Sequence, residues 1–183
     1  MKNDNTQRND TSTITFPVHG DTSEARRKKV NAIFAISPMA GFLLSSVNLE
    51  WTLRRAILAV GRDPTKRIRS SFRKIHGIDG YKQVWKSQVS RPFAHPGLCE
   101  LVEKANRSRK FFWTDVRRAF NVRNVLVHGR NCTQGDEYLR RHTDIFLDVA
   151  EILVDFVAAN GKSVFTTIRR INPAIPNTKG TNQ

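Results

Sequence analysis

The chain has 183 residues, 31 of them Lys or Arg and 16 of them Asp or Glu, so its formal net charge at pH 7 is +15. Hydrophobic residues make up 39% of it, which is enough for one folded core, and nothing in the composition suggests a second domain. Its 2 cysteines, Cys99 and Cys132, stand alone, which argues against a disulfide framework or a cysteine zinc site and predicts a reducing, cytoplasmic environment.

The first part of the chain predicts a disordered tail followed by three helices. Residues 1–22 are rich in Asn, Asp, Thr and Lys and contain little that would form a core. Ser23 is the predicted cap of a short first helix, and Ser37-Pro38 supplies the cap and the first residue of a second helix. Gly61 ends that helix, and Asp63-Pro64 then caps a third helix that carries many cations.

Short helices precede long ones in the remainder of the folded part. Residues 81–89 and 98–106 predict two short helices, and a loop with two prolines, 91–97, lies between them. Two longer amphipathic patterns follow at 113–128 and 136–160. They predict the longest helices of this half of the chain.

The predicted fold class is therefore all-α, with one helical bundle at residues 23–171 and disordered tails at 1–22 and 172–183. The apolar segment 164–168 has β character but no obvious partner strand. Residues 30–47 are apolar and follow a basic run, but Pro38 interrupts them and they are too short and polar to cross a bilayer. They are interpreted as buried helix, and no membrane partner is expected.

Arg123 and the residues after it are the most informative feature of the predicted helix 113–128. Four apolar residues recur there at spacings of four, four and seven and define one stripe: Phe112, Val116, Phe120 and Val127. Arg123 lies within roughly 20–40° of this stripe. Its guanidinium therefore needs an anionic partner, because an unpaired buried cation costs several kcal/mol. Asn124 and His128 are four residues apart and share the adjoining face, and Gly129 ends the helix.

This motif resembles the signature of the HEPN superfamily, in which an Arg and a polar residue are followed, a few positions on, by a His. It reads R-N-V-L-V-H-G here, and the helical pattern around it is compatible over roughly residues 38–160. The resemblance implies a HEPN-like bundle that cleaves single-stranded RNA without metal, as a toxin or phage-defence effector. Arg69 and His76 match the bare spacing too, but Ser70 follows the arginine and the helix is poorly apolar. This second match is interpreted as coincidence.

The resemblance also implies roles for three residues. Cleavage without metal needs a base for the 2′-OH, an acid for the leaving 5′-oxygen and positive charge at the phosphate. His128 is implied to be acid or base, Arg123 to stabilise the phosphate, and Asn124 to orient either one. Since one imidazole does not easily serve both sides of the scissile bond, the family's composite site at a twofold axis implies a homodimer. Neither a metal nor a cofactor is expected.

His128 and Arg123 also have structural interpretations that involve no catalysis. The alternative for His128 is a structural one, in which this helix-terminal residue donates a hydrogen bond to the last backbone carbonyls of the helix. Arg123 is equally explained by a structural ion pair with Glu50, which borders the core stripe of the second helix near Ile57 in register. Both roles are compatible, because such a carboxylate would hold the guanidinium in place. The remaining interpretation of Glu50 is a plain surface carboxylate.

Basic residues near the motif predict the RNA-binding surface, because phosphate contacts give affinity without sequence readout. The candidates are Arg54, Arg55, Lys66, Arg69, Arg73, Arg109, Lys110, Arg117 and Arg118. Three aromatic residues interleave with these charges: Phe112 and Trp113 are assigned to the core, whereas Phe111 is assigned either to the core or to stacking on an unpaired base.

The charge also allows other partners and functions. An anionic membrane, an acidic protein or mere solubility would each explain a net charge of +15. The principal alternative to a ribonuclease is a non-catalytic nucleic-acid-binding or regulatory module in which Arg123 is structural. Some HEPN toxins carry, two positions after the His, a tyrosine that a partner enzyme adenylylates, but this chain has Arg130 there. This departure makes that mode of neutralisation inapplicable and leaves open a protein antitoxin, a defence-system partner or an autonomous nuclease.

Overall fold

The computed structural model of the chain describes residues 22–129 and 134–166. Eight α-helices occur in these ranges: α1 (Ser23–Ile36), α2 (Pro38–Val60), α3 (Thr65–Phe72), α4 (Gly77–Trp85), α5 (Arg91–Phe93), α6 (Leu98–Ala105), α7 (Trp113–Val127) and α8 (Asp136–Ala159). A π turn, Lys86–Ser90, joins α4 to α5, and the described residues contain no β-strand. The predicted all-α class is confirmed. Both predicted tails fall outside the described residues except for Thr22, as do Cys132 and Arg130.

Local capping residues set the boundaries of the first two helices. The side chain of Ser37 accepts a hydrogen bond from the Ala40 N–H at 3.4 Å, Pro38 is the first residue of α2, and Gly61 is its C-cap. These predictions are confirmed. The predicted cap of α1 was wrong by one residue: the cap is Thr22, whose hydroxyl accepts from the Ala25 N–H at 3.2 Å, and Ser23 is the first residue of the helix.

A glycine allows α1 and α2 to pack very closely as an antiparallel hairpin. A Cβ added to Gly41 would lie 2.5 Å from both Cα and Cβ of Phe34. Farther along the hairpin, the Arg26 guanidinium lies 3.7 Å from the Trp51 ring centroid and donates to Asn48 Oδ1 at 3.4 Å. The buried cation of α1 is therefore accommodated by an aromatic face and an amide of α2.

The two longest helices, α2 and α8, form the centre of the core. Phe42 near the start of α2 stacks on Phe146 of α8 with ring centroids 5.5 Å apart. Trp51, farther along α2, stacks on Phe165 beyond the end of α8 at 6.1 Å, so the two helices run in the same direction. Phe120 of α7 meets the edge of Phe146 at 5.1 Å. The helix that carries the motif is thus packed on this central pair.

The segment from α3 to α5 is attached to the core by a buried polar contact. Gln88 in the π turn accepts a hydrogen bond from the Asp63 N–H at 3.1 Å and donates to Asp63 Oδ2 at 3.0 Å. The loop predicted at 91–97 begins instead with the short α5, and the helix predicted from residue 81 begins at Gly77. The first difference arises because the π turn makes α4 and α5 nearly continuous.

Of the three consecutive aromatic residues, Phe112 is placed differently from the prediction. Phe112 is 60% exposed, whereas Phe111 is 2% and Trp113 7% exposed. Assigning Phe112 to the core was wrong, because α7 begins only at Trp113 and Phe112, its N-cap, has extended backbone outside the helical register. Phe111 belongs to the core. No helix within the described ranges is long and apolar enough to cross a membrane.

Candidate active site

A cleft of about 330 Å³ opens where α2, the junction of α3 and α4, and the end of α7 meet. Its lining residues are Glu50, Arg54, Ile75, His76, Gly77, Tyr81, Arg123, Asn124 and His128. The three residues predicted to be catalytic thus lie in one cleft together with the predicted supporting carboxylate. The three residues at the end of α7 are far in sequence from the α2 and α4 residues that complete the cleft.

Arg123 has the anionic partner that its position predicted. Its Nη2 lies 3.2 Å from Glu50 Oε1, and the two side chains are 25% and 23% exposed. Its Nη1 donates to Asn124 Oδ1 at 3.0 Å. The guanidinium is therefore held in place by a carboxylate and an amide, while its buried Nε–H has no partner among the described residues.

The apolar stripe of α7 is shorter than predicted. Val116 and Phe120 are 0% and 2% exposed, as expected, but Val127 is 53% exposed. The prediction was wrong for Val127 because the last turn of α7 extends beyond the core. For the same reason Arg123 and Asn124 are only half-buried. Their polar groups face a cleft that solvent reaches.

His128 is the C-cap of α7, and its imidazole is exposed. Its backbone N–H donates to the Asn124 carbonyl at 3.1 Å, and Gly129, with φ of +65°, ends the helix as predicted. In the described part of the chain no side-chain hydrogen bond holds the His128 ring. The alternative in which the imidazole bonds the last carbonyls is therefore not what this geometry contains.

Arg54 and Tyr81 also line the cleft and bond to each other. The Arg54 Nε donates to Tyr81 Oη at 2.6 Å. Burial raises the pKa of the Tyr81 hydroxyl, an effect that the hydrogen bond from Arg54 partly opposes. The phenol consequently stays protonated at neutral pH, and the Arg54 cation remains at the mouth of the cleft.

His76 and Tyr81 are cleft residues that the sequence analysis did not place in the site. His76 is the N-cap of α4, but its side chain makes no capping hydrogen bond, and the residue is exposed. The signal that pointed to it was the Arg69–His76 match to the bare motif spacing, which was set aside as coincidence. No sequence signal distinguished Tyr81, because its place depends on how α4 packs against α2.

The predicted RNA-binding residues are dispersed over several elements, and Arg54 is the member of the set that lines the cleft. The Arg55 guanidinium donates to the Val164 carbonyl at 2.7 Å and to the Thr166 carbonyl, so part of its donor capacity is already used within the fold. Arg117 lies 3.4 Å from Asp79, and Arg118 lies 3.9 Å from Asp115. The exposed remainder comprises Lys66, Arg69, Arg73, Arg109 and Lys110.

Comparison of the chain with protein-family models, with curated proteins and with solved structures found no match. Among the described residues, no group of three or more His, Cys, Asp or Glu side chains is placed to hold a metal ion. The chemistry available to the site is therefore that of the side chains that line the cleft. These side chains offer guanidinium, amide, carboxylate, phenol and imidazole groups.

Proposed function

We propose that the chain is a metal-independent endoribonuclease that cleaves single-stranded RNA, as a toxin or phage-defence effector. The observation that carries this proposal is the cleft, where Arg123, Asn124 and His128 lie together beside Glu50. The motif resemblance supplies the reaction class, and the net charge of +15 suits a polyanionic substrate.

In the proposed reaction the ribose 2′-oxygen loses its proton to a base and attacks the adjacent phosphorus. The bond from phosphorus to the 5′-oxygen breaks, and an acid donates a proton to that oxygen. The products carry a 2′,3′-cyclic phosphate and a 5′-OH. His128 serves as acid or base, since an imidazole exchanges protons near neutral pH.

Arg123 stabilises the negative charge that grows on the phosphate oxygens. Its ion pair with Glu50 and its hydrogen bond to Asn124 fix the guanidinium before substrate arrives, so little ordering remains to be done on binding. Asn124, already bonded to Arg123, orients that guanidinium.

Partners form the second part of the proposal. The family that the motif resembles takes its second titratable group from another copy of the chain, and this predicts a homodimer that sedimentation measures directly. A protein antitoxin or a defence-system partner is proposed as the regulator. The regulator is separate from the cleft chemistry, whereas a second copy of the chain supplies the other acid–base group unless the same chain holds one.

The test is incubation of total RNA with purified protein in EDTA, followed by analysis of the fragment ends. Wild type should yield cyclic-phosphate and 5′-OH ends. His128→Ala should cleave about 10²–10⁴-fold more slowly, the range for loss of a general acid or base. Arg123→Ala should lose about 10²–10³-fold, as when one charge-stabilising donor is removed.

Arg141→Ala is the matched control for loss of an arginine, because Arg141 lies on α8 and its nearest acid, Asp115, is 3.9 Å away. It should cleave like wild type. Circular dichroism establishes whether each variant is folded. Full activity of folded His128→Ala, or intact RNA with wild type, would overturn the proposal.

A non-catalytic nucleic-acid-binding module is the second candidate. The observation that favours it is the Arg123–Glu50 ion pair, which a purely structural arginine would also make. This candidate predicts that wild type binds RNA without producing fragments. It also predicts that Arg123→Ala loses thermal stability while His128→Ala has no effect on binding.

A further inference from the structure

Two imidazoles from different elements line the same cleft. His128 comes from the end of α7 and His76 from the start of α4, and Arg123 lines the cleft between α2 and α7. Both histidines are exposed to solvent. Within the described ranges, neither ring is held by a side-chain hydrogen bond.

His76 has no structural task that would explain its place. It occupies the N-cap position of α4, where a side chain would ordinarily accept a hydrogen bond from the first turn, yet its side chain forms none. The following residue, Gly77, has φ of +66°, so the chain turns sharply into α4 there. The turn presents His76 at the cleft, and the fold does not use the ring.

Transesterification of RNA requires one group that removes the 2′ proton and another that protonates the 5′-oxygen, on opposite sides of the phosphorus. One imidazole cannot occupy both sides at once. Two imidazoles with a guanidinium form a complete set of groups for this reaction. The cleft holds such a set within a single chain.

We propose that His76 is a second catalytic residue and acts with His128 as the acid–base pair of one cleft. This inference rests on the proposed ribonuclease function and specifies how its site is completed. One histidine begins the reaction neutral and takes the 2′ proton. The other begins protonated and gives its proton to the 5′-oxygen as the P–O bond breaks. Proton exchange with water then restores both rings.

This arrangement differs from a composite site at a homodimer axis in a measurable way. In the composite site the second group is His128 of another copy, so removing His76 has no effect on the chemistry. In the site proposed here His76→Ala slows cleavage by about 10²–10⁴-fold, similar to His128→Ala. His76→Gln, which retains a polar side chain of similar size, should be equally slow.

Two RNA substrates assign the roles. One is an ordinary oligoribonucleotide, and the other has sulfur in place of the bridging 5′-oxygen at a single position. Sulfur leaves as a thiolate without needing a proton, so the variant that lacks the acid should regain near wild-type cleavage at that position. The variant that lacks the base should stay slow. The pH–rate profile of each variant should lose one of the two limbs of the wild-type bell.

His95→Ala is the matched control, because His95 packs edge-on against Phe156 at 5.2 Å, outside the cleft. It should cleave like wild type. Wild-type rates in folded His76→Ala alongside an inactive His128→Ala would overturn the role of His76 and leave the ribonuclease proposal standing. Sulfur rescue of both variants or of neither would also overturn the acid–base pair. Intact RNA with wild type would overturn both proposals.

Discussion

Glu50 determines what charge the cleft presents. Its carboxylate lies 3.2 Å from Arg123, so much of the field of that guanidinium is already balanced before a phosphate binds. A phosphate that binds here either shares Arg123 with Glu50 or displaces the Glu50 carboxylate from Arg123. Arg54, whose Nε is bonded to a phenol that stays protonated, is the cation of the cleft that no carboxylate offsets in the described structure.

A buried histidine of α8, His142, should make the stability of the fold depend on pH. It is 3% exposed, its Nδ1 lies 2.7 Å from the Tyr138 carbonyl, and its ring stacks on Tyr138 with centroids 3.9 Å apart. Burial lowers the pKa of His142, and the nearby Arg141 contributes in the same direction. The native state therefore favours the neutral ring.

Since the folded pKa of His142 is depressed, the unfolded chain binds more protons below about pH 6.5, the ordinary histidine value. The free energy of unfolding should consequently decrease as pH falls from 7 to 5. His142→Leu should show a weaker decrease, measured by urea unfolding at each pH. An equal pH dependence in the two proteins would show that His142 does not titrate as described.

At the level of single residues, sequence-based prediction was correct where a residue's role depends on its own helix. The position of Arg123 on the helix predicted an anionic partner, and Glu50 was a correct candidate. Prediction from the sequence failed for Phe112 and Val127, because the helical register does not show where the helix begins or where the core ends. His76 was left out of the site because Ser70 follows Arg69 and the helix is poorly apolar, but His76 reaches the cleft through the packing of α4, which no single helix encodes.

At the scale of elements, the contact between α1 and α2 leaves no space for a side chain at Gly41. A Cβ there would lie 2.5 Å from Phe34 Cα, a backbone atom that moves only with its helix. Helix propensity alone would favour alanine over glycine by about 1 kcal/mol. The clash opposes that gain and is expected to exceed it.

Gly41→Ala should therefore lower the free energy of unfolding by about 1–3 kcal/mol, the usual cost of forcing extra volume into a packed contact. Val47→Ala, on the same helix and 42% exposed, is the control and should change it by less than about 0.5 kcal/mol. Chemical denaturation of the three proteins provides the measurement. A Gly41→Ala protein as stable as wild type would mean that α1 shifts at little cost.

Helix boundaries set by capping residues were predictable, as Ser37-Pro38 and Gly61 show. The π turn at Lys86–Ser90 was not, because it is stabilised by a contact of Gln88 with Asp63, far away in sequence. Periodicity assumes a uniform helix, so it predicted a loop where α4 instead continues through the turn into α5.

At the scale of the whole molecule, the positive charge should govern RNA affinity. Lys66, Arg69 and Arg73 on α3 are exposed, and this helix leads directly into the junction that lines the cleft. Each phosphate contact releases bound counterions, so affinity falls as salt rises. The dependence on salt counts the contacts without revealing a preferred sequence.

Replacing both Arg69 and Arg73 by Gln should reduce the slope of log affinity against log salt by about 1.4, at roughly 0.7 per phosphate contact on single strands. Lys28→Gln is the control, because its ammonium pairs with Glu24 at 2.9 Å on α1. Fluorescence anisotropy with a labelled oligoribonucleotide, in a His128→Ala background that prevents cleavage, measures these slopes. Because the control removes one charge rather than two, a reduction of about 0.7 in the control would show that net charge alone sets the slope.

The order of the helices along the chain has a consequence for synthesis. Glu50 and His76 emerge from the ribosome early, His128 emerges at the end of α7, and α8, which packs along α2 in the core, comes after them. A cleft that needs this core is incomplete while the chain is being translated. If the protein cleaves RNA, its own message and the ribosome that reads it are spared until the last long helix has been made.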